Sequence, residues 1–477
     1  MIPSIRRFRL MYNRPIVVQL PHVLLEVLMM RKTSVLFCAG VLALAPLAAV
    51  ADPSYVLTAP NWSSKQTAAV QAAGGTVVYS HGQAGVGIVT SNAPDFLTRV
   101  QASNAFQTAA ADMMVQFQQD TPVQDAGGFE QAVTPGDDTY YPIQWAHTAL
   151  DSPGAWAAGC TGAGARVAVI DGGIYNAHPD LDANIDTACS ASFVPGQPYN
   201  NDVGTFWHGT HVAGIIAAED NGTGVIGVAP NATILGVKVL HNGSGSFGAV
   251  ILGILYAADP ASFGATNCQR ADIINMSLGA VFPKTAAGSL IGALAKAVNF
   301  AGSKGVLVLS AAGNDAIDFG QAGNYVDVPG DSGGGLAISS TAPMAWAYGN
   351  TNFTRPASYS SYGEGYVTLA GPGGDFAYPG NELCTMPTAT GSITTACWVF
   401  DMYLSTSRAG YTWAAGTSMA TPAAAGVAAL IKSRFPSISR GALKARLEQS
   451  AVDAGKIGHD EFYGHGFVNA ARACTQQ

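Results

Sequence analysis

Three side chains in this sequence carry the makings of nucleophilic acyl transfer. A serine hydroxyl attacks a carbonyl efficiently only when a base removes its proton. An imidazole suits that task, and a buried carboxylate holds it in the right tautomer. Asp171 follows the apolar run Arg166-Val-Ala-Val-Ile170. His208 opens His-Gly-Thr-His-Val-Ala-Gly-Ile-Ile-Ala-Ala, and Ser418 opens Ser-Met-Ala-Thr-Pro-Ala-Ala-Ala-Gly-Val-Ala-Ala-Leu-Ile. Both stretches read as buried helices. Asn314 closes Val306-Leu-Val-Leu-Ser-Ala-Ala-Gly-Asn. Its side-chain amide and the Ser418 backbone N–H are suited to donate to the oxygen of a tetrahedral intermediate, where the dipole of the Ser418 helix adds to them.

These residues need elements that end in one place. From 137 onward, short continuous apolar runs alternate with helical ones: 166–170, 234–239, 272–275 and 305–309 are the clearest. Such runs are buried on both faces of a parallel sheet, which implies an α/β three-layer fold with right-handed crossovers. Open parallel sheets place their sites beyond the carboxyl ends of their strands. Ahead of this domain, residues 52–120 read as a small α+β unit, with strands near 54–57, 76–79 and 86–90 and a helix near 94–101. Residues 121–136, rich in Pro, Gly, Asp and Gln, read as an exposed linker.

The chain resembles the subtilisin-like serine peptidases. The resemblance rests on Val167-Ala-Val-Ile-Asp-Gly-Gly-Ile174, His208-Gly-Thr-His-Val-Ala-Gly214 and Gly416-Thr-Ser-Met-Ala-Thr-Pro422, with Asn275-Met-Ser-Leu-Gly279 and Ala311-Ala-Gly-Asn314 between them. It spans roughly 134–473, in the family's order Asp, His, Ser. It implies a secreted endopeptidase acting on protein or peptide substrates through an acyl-enzyme. Asp171, His208 and Ser418 would be the triad and Asn314 the oxyanion donor. Ser277, Leu278 and Gly279 would line one wall of the pocket for the residue before the scissile bond. The resemblance also implies that 52–120 is a propeptide acting as an intramolecular inhibitor, removed by cleavage between 120 and 137. A retained N-terminal domain is the plainer alternative. Structural calcium is implied at Asp137, at Asp180 and at the loop Glu219-Asp-Asn-Gly-Thr-Gly-Val225, with the Asn221 side chain and the carbonyls of Glu219, Thr223 and Val225 as ligands. A solvated polar turn is the alternative there.

Other features weigh against other classes. Gly330-Asp-Ser-Gly-Gly334 copies the nucleophile signature of chymotrypsin-like peptidases, but no matching histidine segment accompanies it, so Ser332 reads as a loop residue. Ala420 breaks any Gly-x-Ser-x-Gly elbow at Ser418. His178 and His211 read as structural, and His147, His241, His459 and His465 as surface or satisfied residues. Asp315, beside Asn314, is the one hint of a preference for basic substrate residues. A formal charge of −8 and the lack of a basic run argue against nucleic acid. Residues 1–51 read as a signal region: a basic start at 30–32, an apolar run 35–50 and a small-x-small site at 49–51. Translation begins at Met30, or the whole stretch is one long signal. No stable membrane anchor is expected after its removal, and the protein reads as a monomer. Cys160, Cys189, Cys268, Cys384, Cys397 and Cys474 imply disulfides in an exported protein, with Cys384 and Cys397 the best single pair.

Overall fold

The computed structural model describes residues 53–117, 123–127, 138–203, 207–408 and 410–476. The signal region and most of the linker lie outside them. Seven parallel strands form the central sheet in the order Val367–Pro372, Leu336–Thr341, Leu307–Ala311, Ile273–Met276, Arg166–Asp171, Thr233–Lys238, Ala191–Ser192. Four of these are the apolar runs read from the sequence, each within two residues of its expected ends.

Alternation along the strands explains why the runs are apolar throughout. Val167, Val169, Ile234, Ile273 and Leu307 face the layer of helices His208–Ala217 and Thr417–Arg434. Ala168, Ile170, Leu235, Ile274 and Val308 face helices Phe247–Ala258 and Gly288–Ser303. Each strand residue is therefore covered on one side or the other, which leaves little place for polar residues except at strand ends.

The unit at 52–120 has the expected strands at Ser54–Thr58, Thr76–His81 and Val86–Thr90 and the helix at Phe96–Ala102. It also has two elements that the sequence signals only weakly, helix Ser64–Ala72 and strand Thr108–Ala111. The helix buries only Gln66 and Val70, so its apolar periodicity is faint. A capping box fixes its start, with the Ser63 N–H donating to Gln66 Oε1 at 3.0 Å. The four-stranded antiparallel sheet packs on helices Phe247–Ala258 and Gly288–Ser303, and Val56, Val86 and Ile88 share a core with Phe247 and Ile251. Lys296 on the second helix donates to the Ala59 carbonyl at 2.9 Å. Residues 123–127, expected as linker, form a strand antiparallel to Gly410–Ala414. Composition signals exposure but not whether exposed backbone finds a sheet edge.

Three disulfides join Cys160 to Cys474, Cys189 to Cys268 and Cys384 to Cys397. The last is the pair expected from sequence proximity. Among the described residues no helix is long and apolar enough to cross a membrane.

Candidate active site

Asp171 ends strand Arg166–Asp171, next to the central strand of the sheet, and is fully buried. His208 begins its helix close by, with Nδ1 lying 2.9 and 3.0 Å from the two Asp171 carboxylate oxygens. A carboxylate only accepts, so the proton between them is on Nδ1, and Nε2 is left as the ring's basic nitrogen. Gly209 makes this approach possible, because a Cβ there would sit 2.1 Å from the Gly173 carbonyl. The turn is held from outside by Asp202, which accepts from the Thr210 N–H at 2.8 Å and the Thr210 hydroxyl at 2.7 Å. Burial of His208 opposes its charging. The charge and hydrogen bond of Asp171, with the charge of Asp202 behind them, outweigh that and raise its pKa above the ordinary histidine value.

Ser418 stands in the first turn of helix Thr417–Arg434. Pro422 lies within this helix and lacks an N–H, so the Ser418 carbonyl has no donor four residues on. The Ser277 hydroxyl takes that place at 2.8 Å and itself accepts from Asn275 Nδ2 at 3.0 Å. The helix break thus ties the serine to the strand exit. The Ser418 hydroxyl rests on the Ser277 carbonyl at 3.3 Å. Asn314 is oriented from the other side. Its Oδ1 accepts from the Thr417 N–H at 2.9 Å and the Thr417 hydroxyl at 2.8 Å, which turns the amide nitrogen the other way, toward Gly416.

A segment of the chain itself lies in the cleft. Met114–Gln116 pairs antiparallel with Ser244–Ser246, and the Phe117 N–H donates to the Gly243 carbonyl at 2.9 Å. On the opposite side the Gly279 N–H donates to the Phe117 carbonyl at 2.9 Å. The Phe117 ring is buried and packs edge-on against Phe247, with 5.7 Å between ring centroids, and Phe117 borders a pocket lined also by Gly279, Ala280, Asn314, Asp327 and Ser418. Of Ser277, Leu278 and Gly279, Gly279 lines this pocket, while Leu278 is buried in the core. The residues that sequence reasoning misses are Phe117, the strand 244–246 opposite it, and Asp327. None stands in a recognisable motif, and only the threading of the chain brings them together.

The loop after the histidine helix gathers buried acids. Among the described residues, both carboxylate oxygens of Asp138 and Oδ1 of Asp180 have no hydrogen-bond partner. Burial, with the charge of Asp220, pushes Asp138 up to about 7, and burial raises Asp180 well above the usual carboxylate range. Asp137, expected to be a ligand, lies outside the described residues. Asn221 Oδ1, the expected side-chain ligand, accepts from the Thr223 N–H at 2.8 Å. The Glu219 carboxylate accepts from the Ala183 N–H at 2.9 Å, which leaves only its carbonyl for the expected part. The Val225 N–H donates to Asp180 at 3.1 Å. Among the described residues no three His, Cys, Asp or Glu side chains cluster as metal ligands. The fit is therefore the Asp138 carboxylate and one oxygen of Asp180 plus backbone oxygens, a hard-oxygen set that suits calcium.

The remaining histidines fall as structural groups. His211 faces the Thr412 carbonyl at 2.8 Å and His178 the Gly410 carbonyl at 3.0 Å, and burial lowers them to about 3 and about 4. His147, buried, faces the Ile226 carbonyl at 2.8 Å. Ser332 sits in a turn, its hydroxyl donating to the Pro329 carbonyl.

Residues 162–466 match the subtilase family. The thermostable alkaline protease of Halalkalibacterium halodurans is 37% identical over 334 residues, 69% of this chain and 73% of that protein. Subtilisin Savinase of Lederbergia lenta is 35% identical over 69% of this chain and 98% of its own length. A protease from Pseudoalteromonas arctica has a solved structure with TM-score 0.54 and 29% identity, covering 72% of this chain and 99% of that one. The epidermin leader peptide processing serine protease of Staphylococcus aureus shares the fold, with TM-score 0.68 and 21% identity over 89% of this chain and 98% of that one.

Proposed function

This chain belongs to the subtilase family of serine peptidases, and from that premise we propose that it is an exported endopeptidase using Ser418, His208 and Asp171 as its triad. The observation that carries the reading is the buried Asp171 carboxylate 2.9 Å from His208 Nδ1, with Ser418 and Asn314 lining one pocket. In this reading His208 Nε2 takes the Ser418 proton as Oγ attacks the substrate carbonyl. Asp171 holds the Nδ1 proton and stabilises the imidazolium. The amide of Asn314 and the N–H of Ser418 receive the oxyanion. His208 then protonates the leaving amine, and water hydrolyses the acyl-enzyme by the reverse path.

The segment 114–117 lies extended along the cleft as a bound substrate strand would, so residues 52–120 are read as the propeptide and inhibitor, with maturation cleavage between 120 and 137. Export follows from the signal region at 1–51, and three disulfides suit that destination. N-terminal sequencing of the processed enzyme tests the assignment: its first residue should lie between 121 and 137, and a processed chain that still carries residues 52–117 would contradict it.

The raised pKa of His208 gives a pH dependence. The base must be neutral, so the acid limb of the kcat/KM profile should rise through an ionisation above 6.5, the ordinary histidine value. Asp202→Asn removes one of the charges raising that pKa and should move the acid limb to lower pH. A profile flat from pH 5 upward would count against His208 as the base.

We also infer that Asp138, Asp180 and the carbonyls of the 219–225 loop hold a structural calcium ion. The ion would neutralise two buried carboxylates that otherwise oppose each other. Calcium at about 100 times its Kd should stabilise the fold by roughly 2.7 kcal/mol, raising Tm by about 5 °C over chelator. Asp180→Asn should abolish most of that difference. Equal Tm values with and without calcium would refute the site.

A further inference from the structure

The floor of the cleft pocket is an acid. Asp327 is 1% exposed and is contributed by strand Tyr325–Val328, which pairs with Ala280–Pro283. Its Oδ2 accepts from the Tyr366 hydroxyl at 3.0 Å. Its Oδ1 faces the glycines of the pocket wall: a Cβ on Gly279 would lie 3.1 Å from it, and one on Gly313 would lie 3.8 Å away. Side chains at 279 or 313 would therefore crowd the space between the carboxylate and the incoming substrate.

The charges around this acid do not compensate it. Those acting on Asp327 are Asp315 and Asp331, both acidic. Lys284 acts on Asp331 and donates to the Gly323 carbonyl at 2.8 Å. Among the described residues no lysine or arginine forms an ion pair with Asp327. A buried carboxylate without a cationic partner is costly, and a substrate side chain bringing a cationic donor would relieve it.

We propose that Asp327 selects the substrate residue before the scissile bond, favouring arginine or lysine when it is ionised and aromatic residues when it is protonated. The inference rests on the peptidase reading above and names the substrate class of that site. Burial pushes Asp327 up to about 7, Tyr366 works against that shift, and Asp315 and Asp331 add to it. The change of preference therefore falls near neutral pH, where small shifts alter the enzyme's targets.

The test uses the mature enzyme and two peptide p-nitroanilides identical except for phenylalanine or arginine before the scissile bond, with a lysine version as a third arm. Both substrates share His208, so its titration cancels in the ratio of kcat/KM values. The arginine-to-phenylalanine ratio should rise at least about tenfold between pH 6 and pH 8.5, the size expected of a charge pair taken out of water. In Asp327→Asn the ratio should stay low and flat. Tyr366→Phe removes a donor that stabilises the ionised acid, so the midpoint should move to higher pH. This second variant keeps the test open should Asp327→Asn fail to fold. A ratio independent of pH in the wild type, or unchanged pH dependence in Asp327→Asn, would overturn the proposal while phenylalanine hydrolysis leaves the peptidase reading intact. Failure to cleave any of the peptides would remove both.

Discussion

Ser418→Ala should lower kcat by about 10⁶-fold and leave the precursor uncut. That magnitude is the loss known for the equivalent knock-out in subtilisin, a member of the same family, and is carried over from it. The geometry here gives the reason for a loss without unfolding. Among the described residues the Ser418 hydroxyl bonds to the Ser277 carbonyl, at a long 3.3 Å, so its removal costs the fold little. The Ser277 hydroxyl still caps the Ser418 carbonyl, because that bond is to backbone. What disappears is the nucleophile. The variant should therefore fold and migrate as the uncut precursor. Wild-type protein added in trans should cut it. A variant retaining a tenth of wild-type activity, or processing itself at the normal rate, would show that another group does the chemistry.

Asn314→Ala should lower kcat by about 10²–10³-fold and leave KM within about twofold. The kcat figure is again that of subtilisin's own oxyanion asparagine, transferred through the family. The split between kcat and KM follows from position. Thr417 fixes the Asn314 oxygen through two hydrogen bonds, so the amide nitrogen is oriented before substrate arrives. Its donation strengthens as the carbonyl oxygen becomes charged and contributes little to ground-state binding. Thr417→Val should give a milder loss of the same kind, since it removes one of the two bonds that orient the amide. A variant that raised KM while sparing kcat would place Asn314 in substrate binding instead.

The parts of this molecule that are legible in its sequence are those where chemistry forces the local residues. The strand before Asp171 is buried on both faces and must be apolar. Gly209 must lack a side chain so that the histidine helix can meet the aspartate strand, and Pro422 marks the break that leaves the Ser418 carbonyl for Ser277. These constraints are short-range and leave motifs. Phe117 and Asp327 obey no such local rule. One is an aromatic residue at the end of an unremarkable strand, and the other lies two residues before Pro329. Both matter because distant segments converge. The acidic hint in the sequence, Asp315, does line the pocket, but the buried carboxylate among its lining residues belongs to Asp327. The linker departs from its expected form for a similar reason: 123–127 is a strand only because Gly410–Ala414 offers an edge.

The most direct test of the triad is covalent. Processed enzyme treated with a fluorophosphonate and mapped by mass spectrometry should carry one adduct per chain, on Ser418, and His208→Ala should nearly abolish labelling. An unlabelled enzyme, or an adduct on Ser332, would contradict the account.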